Sequence, residues 1–310
     1  MNRMKILAVV ALGCCARISE MNSVAAQTSN DVEYVVERAI SLGKSGQTDA
    51  ALSALAPFLT SPTAREAKAC YVAGFLHKER FKSKAGMSSG RRQADRIEAV
   101  RLLQLSKELG TTSARDQSWQ TSASQALQYL GGTYFDDAIQ AVRTFEPGDE
   151  QLIFELFDAH VSVAKSLDPM LDATRERTEF HKNIARAYRQ WYEATSDPSH
   201  FEGLITQYQR ALELTPDDIT ATYNLAVNIY NRGVTLIKSM DETTTLGEIF
   251  EIQDASAEMF RDALPWFERA NVLQPRRPET LRGLMIVHHA LFDDAEAERY
   301  RGELEMALNP

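Results

Sequence analysis

The segment from Ile219 to Pro275 constrains the fold most, because it contains two successive apolar patterns of helical period. The second pattern places Ala263, Phe267 and Ala270 about one helical turn apart and ends at Pro275. Small residues let two helix backbones approach, a large residue one turn away fills the space between them, and proline ends a helix. The segment therefore predicts two long helices that pack against each other.

The same pattern occurs earlier in the chain. Leu130 to Ala138 aligns with Leu225 to Gly233, and Ala164 to Pro169 aligns with Ala270 to Pro275. Two matches in the same order indicate an internal repeat. A hydrophobic content of 44% and a charged content of 25% fit a soluble folded chain. Frequent Ala, Leu, Glu, Arg and Gln favour helix throughout.

The repeat resembles the tetratricopeptide repeat (TPR), a helix pair whose second helix has the spacing small-x-x-x-aromatic-x-x-Ala-x-x-x-x-Pro. Tyr223 to Ala226 (YNLA), followed by Gly233, is similar to the first helix of the family, and Tyr208 to Pro216 (YQRALELTP) is similar to the second. The resemblance implies an all-α fold over residues 27–310. The expected architecture is a TPR-like α-solenoid of five to six helix pairs, several with lengthened helices or inserted loops.

In the TPR family, the first helix of each pair lines a concave groove that binds partners. Position by position, the resemblance implies groove residues on three first helices, namely Tyr223, Val227, Tyr230, Asn231, Phe135, Lys182, Arg186 and Arg189. Arginine forks hold carboxylates, so such a groove suits an extended peptide. The family's clamp for C-terminal carboxylates uses Lys and Asn, and this sequence has Tyr223 and Val227 instead. That particular function is therefore not implied.

The segment Lys82 to Gln93 contains glycines and serines that are typical of a flexible inserted loop. With its flanks it is locally basic. Two interpretations remain open: a docking loop for an anionic partner or headgroup, or a solvated loop. The basic residues are Lys78, Arg80, Lys82, Lys84, Arg91, Arg92 and Arg96, against Glu79 and Asp95.

The first 26 residues have the form of an export signal. A positively charged start is followed by the apolar run Ile6 to Cys15, which is shorter than the roughly 20 residues of a membrane span. Small residues predict cleavage after Ala26. Alternatively, Ala11 to Cys14 is similar to a bacterial lipoprotein signal, in which Cys14 would be lipidated. Both alternatives predict an exported protein in the periplasm or at the outer-membrane periphery, with membrane contact only if Cys14 is lipidated.

Motifs that carry chemistry are absent from the sequence. There is no glycine-rich phosphate loop, no His-Glu-x-x-His, no Gly-x-Ser-x-Gly, and no Cys-x-x-Cys. Cys70, alone after the predicted signal, lies in an apolar stripe that predicts a buried thiol. His288 and His289 are neighbours, so on a helix they point about 100° apart, which predicts one buried and one exposed imidazole. We expect no enzyme activity, no cofactor and no metal.

The predicted function is a non-enzymatic scaffold in the bacterial cell envelope that binds another protein or a peptide segment in its groove. A formal net charge of −9 argues against nucleic acid as a general partner. The alternative is an exported TPR-based protein that binds a small ligand for transport or glycan capture. A deep pocket lined by Trp119, Trp191 or Trp266 would favour that alternative.

Overall fold

The computed structural model describes residues 31–60, 66–83, 88–110 and 117–309. The predicted export signal, with Cys14 and Ala26, lies outside these residues. Within them, every regular element is a helix. None of the described helices combines the length and the hydropathy that a bilayer span requires.

The helices are short at the N-terminal end and longest in the middle and near the C-terminal end. In chain order they are α1 (residues 31–44), α2 (Thr48–Leu55), α3 (Pro57–Thr60), α4 (Ala67–Lys82), α5 (Ser89–Glu108), α6 (Gln117–Arg143), α7 (Glu150–Leu167), α8 (Thr174–Thr195), α9 (Pro198–Leu214), α10 (Ile219–Lys238), α11 (Leu246–Leu273), α12 (Pro278–Ala290) and α13 (Asp294–Leu308).

The chain divides into two compact units. Unit 1 comprises the described residues up to Asp137 together with Leu156–Leu171. Unit 2 comprises Ala138–Glu155 and the described residues from Asp172 onward. Helices α6 and α7 thus contribute to both units.

Unit 1 is built on the pair α4–α5 and on the first part of α6. Cys70 and Ala73 of α4 are buried against Leu102 of α5 and neighbouring apolar side chains, as the predicted apolar stripe requires. Gly74 allows the close approach of α4 and α5, since a Cβ there would lie 2.8 Å from the Leu103 side chain. Further along, α6 buries Leu127 and Leu130 against α5 and α7.

Unit 2 consists mainly of the pairs α8–α9, α10–α11 and α12–α13. The residues that carry the TPR-like spacing in α11, Ala263, Phe267 and Ala270, are all buried. Three of these helices are capped at their N-terminus by a side chain that accepts a hydrogen bond from a backbone amide. The capping residues are Asp197 for α9, Asp218 for α10 and Thr245 for α11. The stacked pairs confirm the predicted all-α, TPR-like fold class.

The inserted segment of unit 1 is shorter than the sequence predicted. The loop was expected over Lys82 to Gln93, but α5 already begins at Ser89. Helix α5 begins this early because the Ser88 hydroxyl accepts a hydrogen bond from the Arg91 amide and caps the helix. Residues 84–87 lie outside the described part of the chain.

Candidate partner-binding face

Helices α8, α10 and α12 are the first helices of the pairs in unit 2, and their exposed side is here called the first-helix face. A buried ion pair joins α8 to the start of α10, with Lys182 Nζ 2.7 Å from Asp218 Oδ2. The other Asp218 oxygen accepts a hydrogen bond from the Ala221 amide at 2.7 Å. At the far end, the Arg232 guanidinium donates to the Tyr192 hydroxyl. These contacts hold α8 and α10 side by side.

Lys182 does not present its charge on this face, although the sequence analysis placed it there. The residue is only 5% exposed, and its ammonium also lies 2.7 Å from Glu179 Oε1. Burial acts to lower the pKa of Lys182, but the Asp218 and Glu179 carboxylates outweigh it and hold the pKa above its usual value. Lys182 is therefore a structural cation, because the side chain reaches across to cap-residue Asp218 instead of extending into solvent.

The two arginines on α8 remain exposed. Arg186 Nη1 donates to Asn183 Oδ1 at 2.9 Å, which leaves the rest of the guanidinium accessible. Arg189 Nε lies 3.5 Å from Glu193 Oε1, a loose and solvated pair. Both side chains can therefore form forked hydrogen bonds to a carboxylate from outside.

On α10 the predicted residues divide into two kinds. Asn231 is exposed and Val227 is half-buried, so both reach the surface. Tyr223 and Tyr230 instead pack within the helix pair, with ring centroids 6.0 Å from Phe267 and 5.0 Å from Phe260. Burial raises the pKa of both tyrosines.

A cleft of about 290 Å³ opens between the end of α6 and α8 in unit 2, and is here called the Trp191 cleft. The indole Nε1 of Trp191 donates to the Phe145 carbonyl at 3.0 Å, which fixes the orientation of the ring. Ala187 and Ala194 leave space on either side of it. The lining residues are Val142, Arg143, Phe145, Ala187, Gln190, Trp191 and Ala194.

The Trp191 cleft adjoins Arg186, since Gln190 is one turn along the helix from Arg186 on the same side. Arg189 precedes Trp191 by two residues, so it lies on the opposite side of α8 from the indole ring. Arg143 lines the cleft and is itself exposed. Sequence reasoning singled out Trp191 but missed Arg143. The contact between the end of α6 and α8 joins residues more than 40 positions apart, and no repeat pattern predicts it.

The other predicted aromatic residues lie elsewhere. Phe135 belongs to unit 1, where its ring lies 5.0 Å from the His160 ring, whereas the remaining groove residues belong to unit 2. Trp119 is buried in unit 1 against Tyr71, and Trp266 lies under the Arg269 guanidinium.

Most of the basic charge near the inserted segment is paired inside unit 1. Arg96 is 2% exposed and its Nη1 lies 2.7 Å from Asp137 Oδ2. Arg80 donates from Nε to Asp95 Oδ2 at 2.8 Å and also pairs with Asp49. Burial would raise the pKa of Asp95, but the bonds from Arg80 and His77 hold it below its usual value. Arg80 and Arg96 are therefore engaged internally and do not form a free anion-docking surface.

Near the C-terminal end, His288 is buried and His289 is exposed, as their adjacency on one helix predicted. His288 Nδ1 lies 3.1 Å from Asp293 Oδ2, and the ring stacks on Tyr300. Among the described residues, no three His, Cys, Asp or Glu side chains are grouped so that they could hold a metal ion.

No protein-family model and no curated protein sequence matches this chain. Solved structures with similar helix arrangements include MamA, 17% identical, covering 72% of this chain and 96% of the MamA chain at a TM-score of 0.30. The human IFIT1 dimer with m7Gppp-AAAA is 13% identical over 88% of this chain and 49% of the IFIT1 chain, at a TM-score of 0.34. Nro1, described as a nuclear import adaptor, is 10% identical over 91% of this chain and 87% of its own, at a TM-score of 0.32. The fold class itself rests on the helix pairs described above.

Proposed function

We propose that this protein is a non-enzymatic interaction scaffold whose first-helix face in unit 2 binds an acidic peptide segment of a partner protein. The observation that carries the proposal is the pair of exposed arginines, Arg186 and Arg189, on α8, the helix that also lines the Trp191 cleft. The arginines supply forked donors for carboxylates, and the cleft accepts one apolar side chain. Asn231 and Val227 on α10 extend the same face.

The size of the cleft favours a peptide over a small ligand. Ligand pockets commonly have volumes of about 300–1,000 Å³ and enclose most of the ligand. The Trp191 cleft, at about 290 Å³, lies at the lower limit and is open to solvent on one side. Small-ligand binding for transport or glycan capture remains the second candidate function, because a fixed indole ring is a suitable platform for a flat apolar surface.

We place this scaffold in the cell envelope, in the periplasm or at the outer-membrane periphery, on the strength of the apolar run Ile6 to Cys15. N-terminal sequencing of the protein from a fractionated host tests this. A mature chain that starts at Gln27 supports cleavage after Ala26, and a lipidated start at Cys14 supports the lipoprotein alternative. Full-length protein in the cytoplasmic fraction contradicts export.

The partner-binding role is tested by an affinity pull-down from the envelope fraction with three versions of the chain. The wild type is compared with the double variant Arg186→Glu, Arg189→Glu and with Arg261→Glu, which reverses an exposed charge on α11. We expect one protein to be retained by the wild type and by Arg261→Glu, and to be lost with the double variant. Equal retention by all three versions would contradict the assigned face. Retention of a small molecule in place of a protein would support the second candidate function.

A further inference from the structure

The α10–α11 pair extends well beyond the core of unit 2. The last buried residue of α10 is Gly233, and the first buried residue of α11 is Ser256. None of the residues from 234 to 255 is buried. About three turns of α11 therefore lie outside the packed core at this end. Residues 234–255 are here called the tip.

The tip is a locally ordered structure. Asp241 Oδ1 accepts hydrogen bonds from the Thr243 amide and hydroxyl at 2.8 and 2.7 Å. Thr245 and Glu248 form a reciprocal capping box at the start of α11. The exposed side chains of the tip are thus presented from a defined turn between two helices.

Three large apolar side chains of the tip are exposed to solvent. Leu246 is 68% exposed, Phe250 is 58% exposed, and Ile237 on the opposite helix is 40% exposed. Leu246 and Phe250 are four residues apart, so they lie on the same side of α11. Grouped exposed apolar side chains with polar surroundings are characteristic of interaction surfaces.

The charge around these side chains is strongly negative. Between residues 238 and 258 there are six carboxylates and one ammonium, that of Lys238. Glu242, Glu251 and Asp254 form no ion pair within the described part of the chain. The tip therefore fits a surface that combines an apolar cleft with exposed basic groups. The six carboxylates are those of Asp241, Glu242, Glu248, Glu251, Asp254 and Glu258.

The same unit carries such a surface at the Trp191 cleft. Phe145 and Trp191 provide apolar walls, and Arg143 lines the cleft with an exposed guanidinium. Arg186 and Arg189 add two further exposed positive charges on α8, the helix that carries Trp191, with Arg186 next to the cleft. No tip residue lines the cleft within one copy. Opposite charge and matching apolar character make the two surfaces complementary.

We propose that the tip of one copy docks on the first-helix face of a second copy, with Phe250 in the Trp191 cleft and tip carboxylates on Arg186 and Arg189. This inference rests on the proposed function, because it names the acidic segment that the face binds. The two surfaces differ, so the contact is head-to-tail: each copy has one free tip and one free cleft, and chains of copies grow as concentration rises.

The test is sedimentation velocity of the full chain at increasing concentration in the micromolar range. We expect the wild type to form progressively larger species, and Phe250→Ser to weaken this self-association by at least about tenfold. Val272→Ser is the matched control, since Val272 is 77% exposed on the same helix but lies outside the tip. It should associate like the wild type. Equal weakening by both serine variants would overturn the proposal.

A mixing experiment tests the head-to-tail geometry. Phe250→Ser lacks a functional tip, and Arg186→Glu, Arg189→Glu lacks a functional face. At a concentration at which each variant alone is monomeric, an equal mixture should form a dimer and nothing larger, because one intact tip and one intact face remain. A mixture that stays monomeric would overturn the proposed pairing of surfaces.

The results of these experiments also distinguish a failure of the self-association from a failure of the proposed function. A wild type that remains monomeric throughout, but still retains an acidic partner on the first-helix face, overturns the self-association alone. A wild type that forms chains through the tip but not through the arginines overturns the proposed occupant of the face.

Discussion

A buried imidazole in unit 2, that of His181, links the stability of the molecule to pH. Its Nδ1 lies 2.7 Å from Gln207 Oε1, which can only accept, so Nδ1 carries the proton. The Phe154 ring lies 4.4 Å away. Burial lowers the pKa of His181, and Arg210 and Arg177 lower it further, against the opposing effects of Gln207 and Glu213. The folded state therefore binds fewer protons here than the unfolded state.

The sign of the effect follows from this lowered pKa. The free energy of unfolding should fall as pH is decreased from about 6.5, the usual histidine value, through the lower pKa of the folded state. His181→Asn keeps a donor to Gln207 but cannot titrate, so its thermal midpoint should drop less between pH 7 and pH 5. His289→Asn removes an exposed imidazole and serves as the control. Identical pH slopes in the wild type and His181→Asn would contradict the role of His181.

Replacing either of two glycines in the α12–α13 pair with alanine should change the free energy of unfolding, in opposite directions for the two sites. A Cβ on Gly283 of α12 would lie 2.3 Å from the buried Phe267 ring, whereas a Cβ on Gly302 of α13 meets nothing within 4 Å. Gly283→Ala should lower the free energy of unfolding by about 1–3 kcal/mol through overpacking. Gly302→Ala should raise it by up to about 1 kcal/mol through helix propensity. Urea denaturation measures both free energies of unfolding. If Gly283→Ala leaves the free energy of unfolding unchanged, α11 and α12 are not in close contact.

At the scale of helices, Tyr230 tests how α10 packs on α11. Its ring lies 5.0 Å from Phe260, so Tyr230→Ala should lower the free energy of unfolding by about 2 kcal/mol, less than for a fully buried aromatic. Tyr230→Phe keeps the ring and should change it by less than about 0.5 kcal/mol. If Tyr230→Ala unfolds at the same urea concentration as the wild type, the Tyr230 ring does not contribute to the packing of α10 on α11.

The contact between α5 and α6 depends on a buried cation. Asp137→Asn removes the carboxylate that pairs with Arg96, which should lower the free energy of unfolding by about 1–3 kcal/mol. Gln93 and Thr133 still accept from the same guanidinium and limit the loss. Asp136→Asn changes an adjacent exposed residue and should cost less than about 0.5 kcal/mol. Equal effects of the two variants in thermal unfolding would mean that the ion pair contributes nothing.

The helices themselves could be predicted from the sequence, because small and large residues at a fixed spacing allow few packings. Phe267 and Ala270 are buried as their spacing requires. The orientation of long side chains on the first helices could not be predicted. Lys182 and Tyr230 occupy positions that line a groove in the TPR family, but Asp218 and Phe260 draw them into the fold. Those partners come from neighbouring helices, and a spacing rule for one helix does not include them.

At the scale of the whole molecule, the two compact units have different chemical character. In unit 1, Arg80 and Arg96 are held in internal ion pairs. Unit 2 exposes Arg186 and Arg189 on the first-helix face. It also exposes carboxylates and large apolar side chains on the tip of the α10–α11 pair. This difference is the reason for assigning partner binding to unit 2. It also predicts strong salt dependence, since exposed charges are screened at high ionic strength.

Binding at the first-helix face can be measured by selecting displayed random peptides on the full chain. The double variant Arg186→Glu, Arg189→Glu is used to remove peptides that bind elsewhere, and Arg261→Glu is the charge control. We expect enriched peptides that combine Asp or Glu with one large apolar residue. These peptides should bind the wild type and Arg261→Glu equally, and the double variant at least about tenfold more weakly. Enrichment of peptides without acidic residues, or of peptides that bind the double variant as tightly as the wild type, would contradict the first-helix face as the binding site.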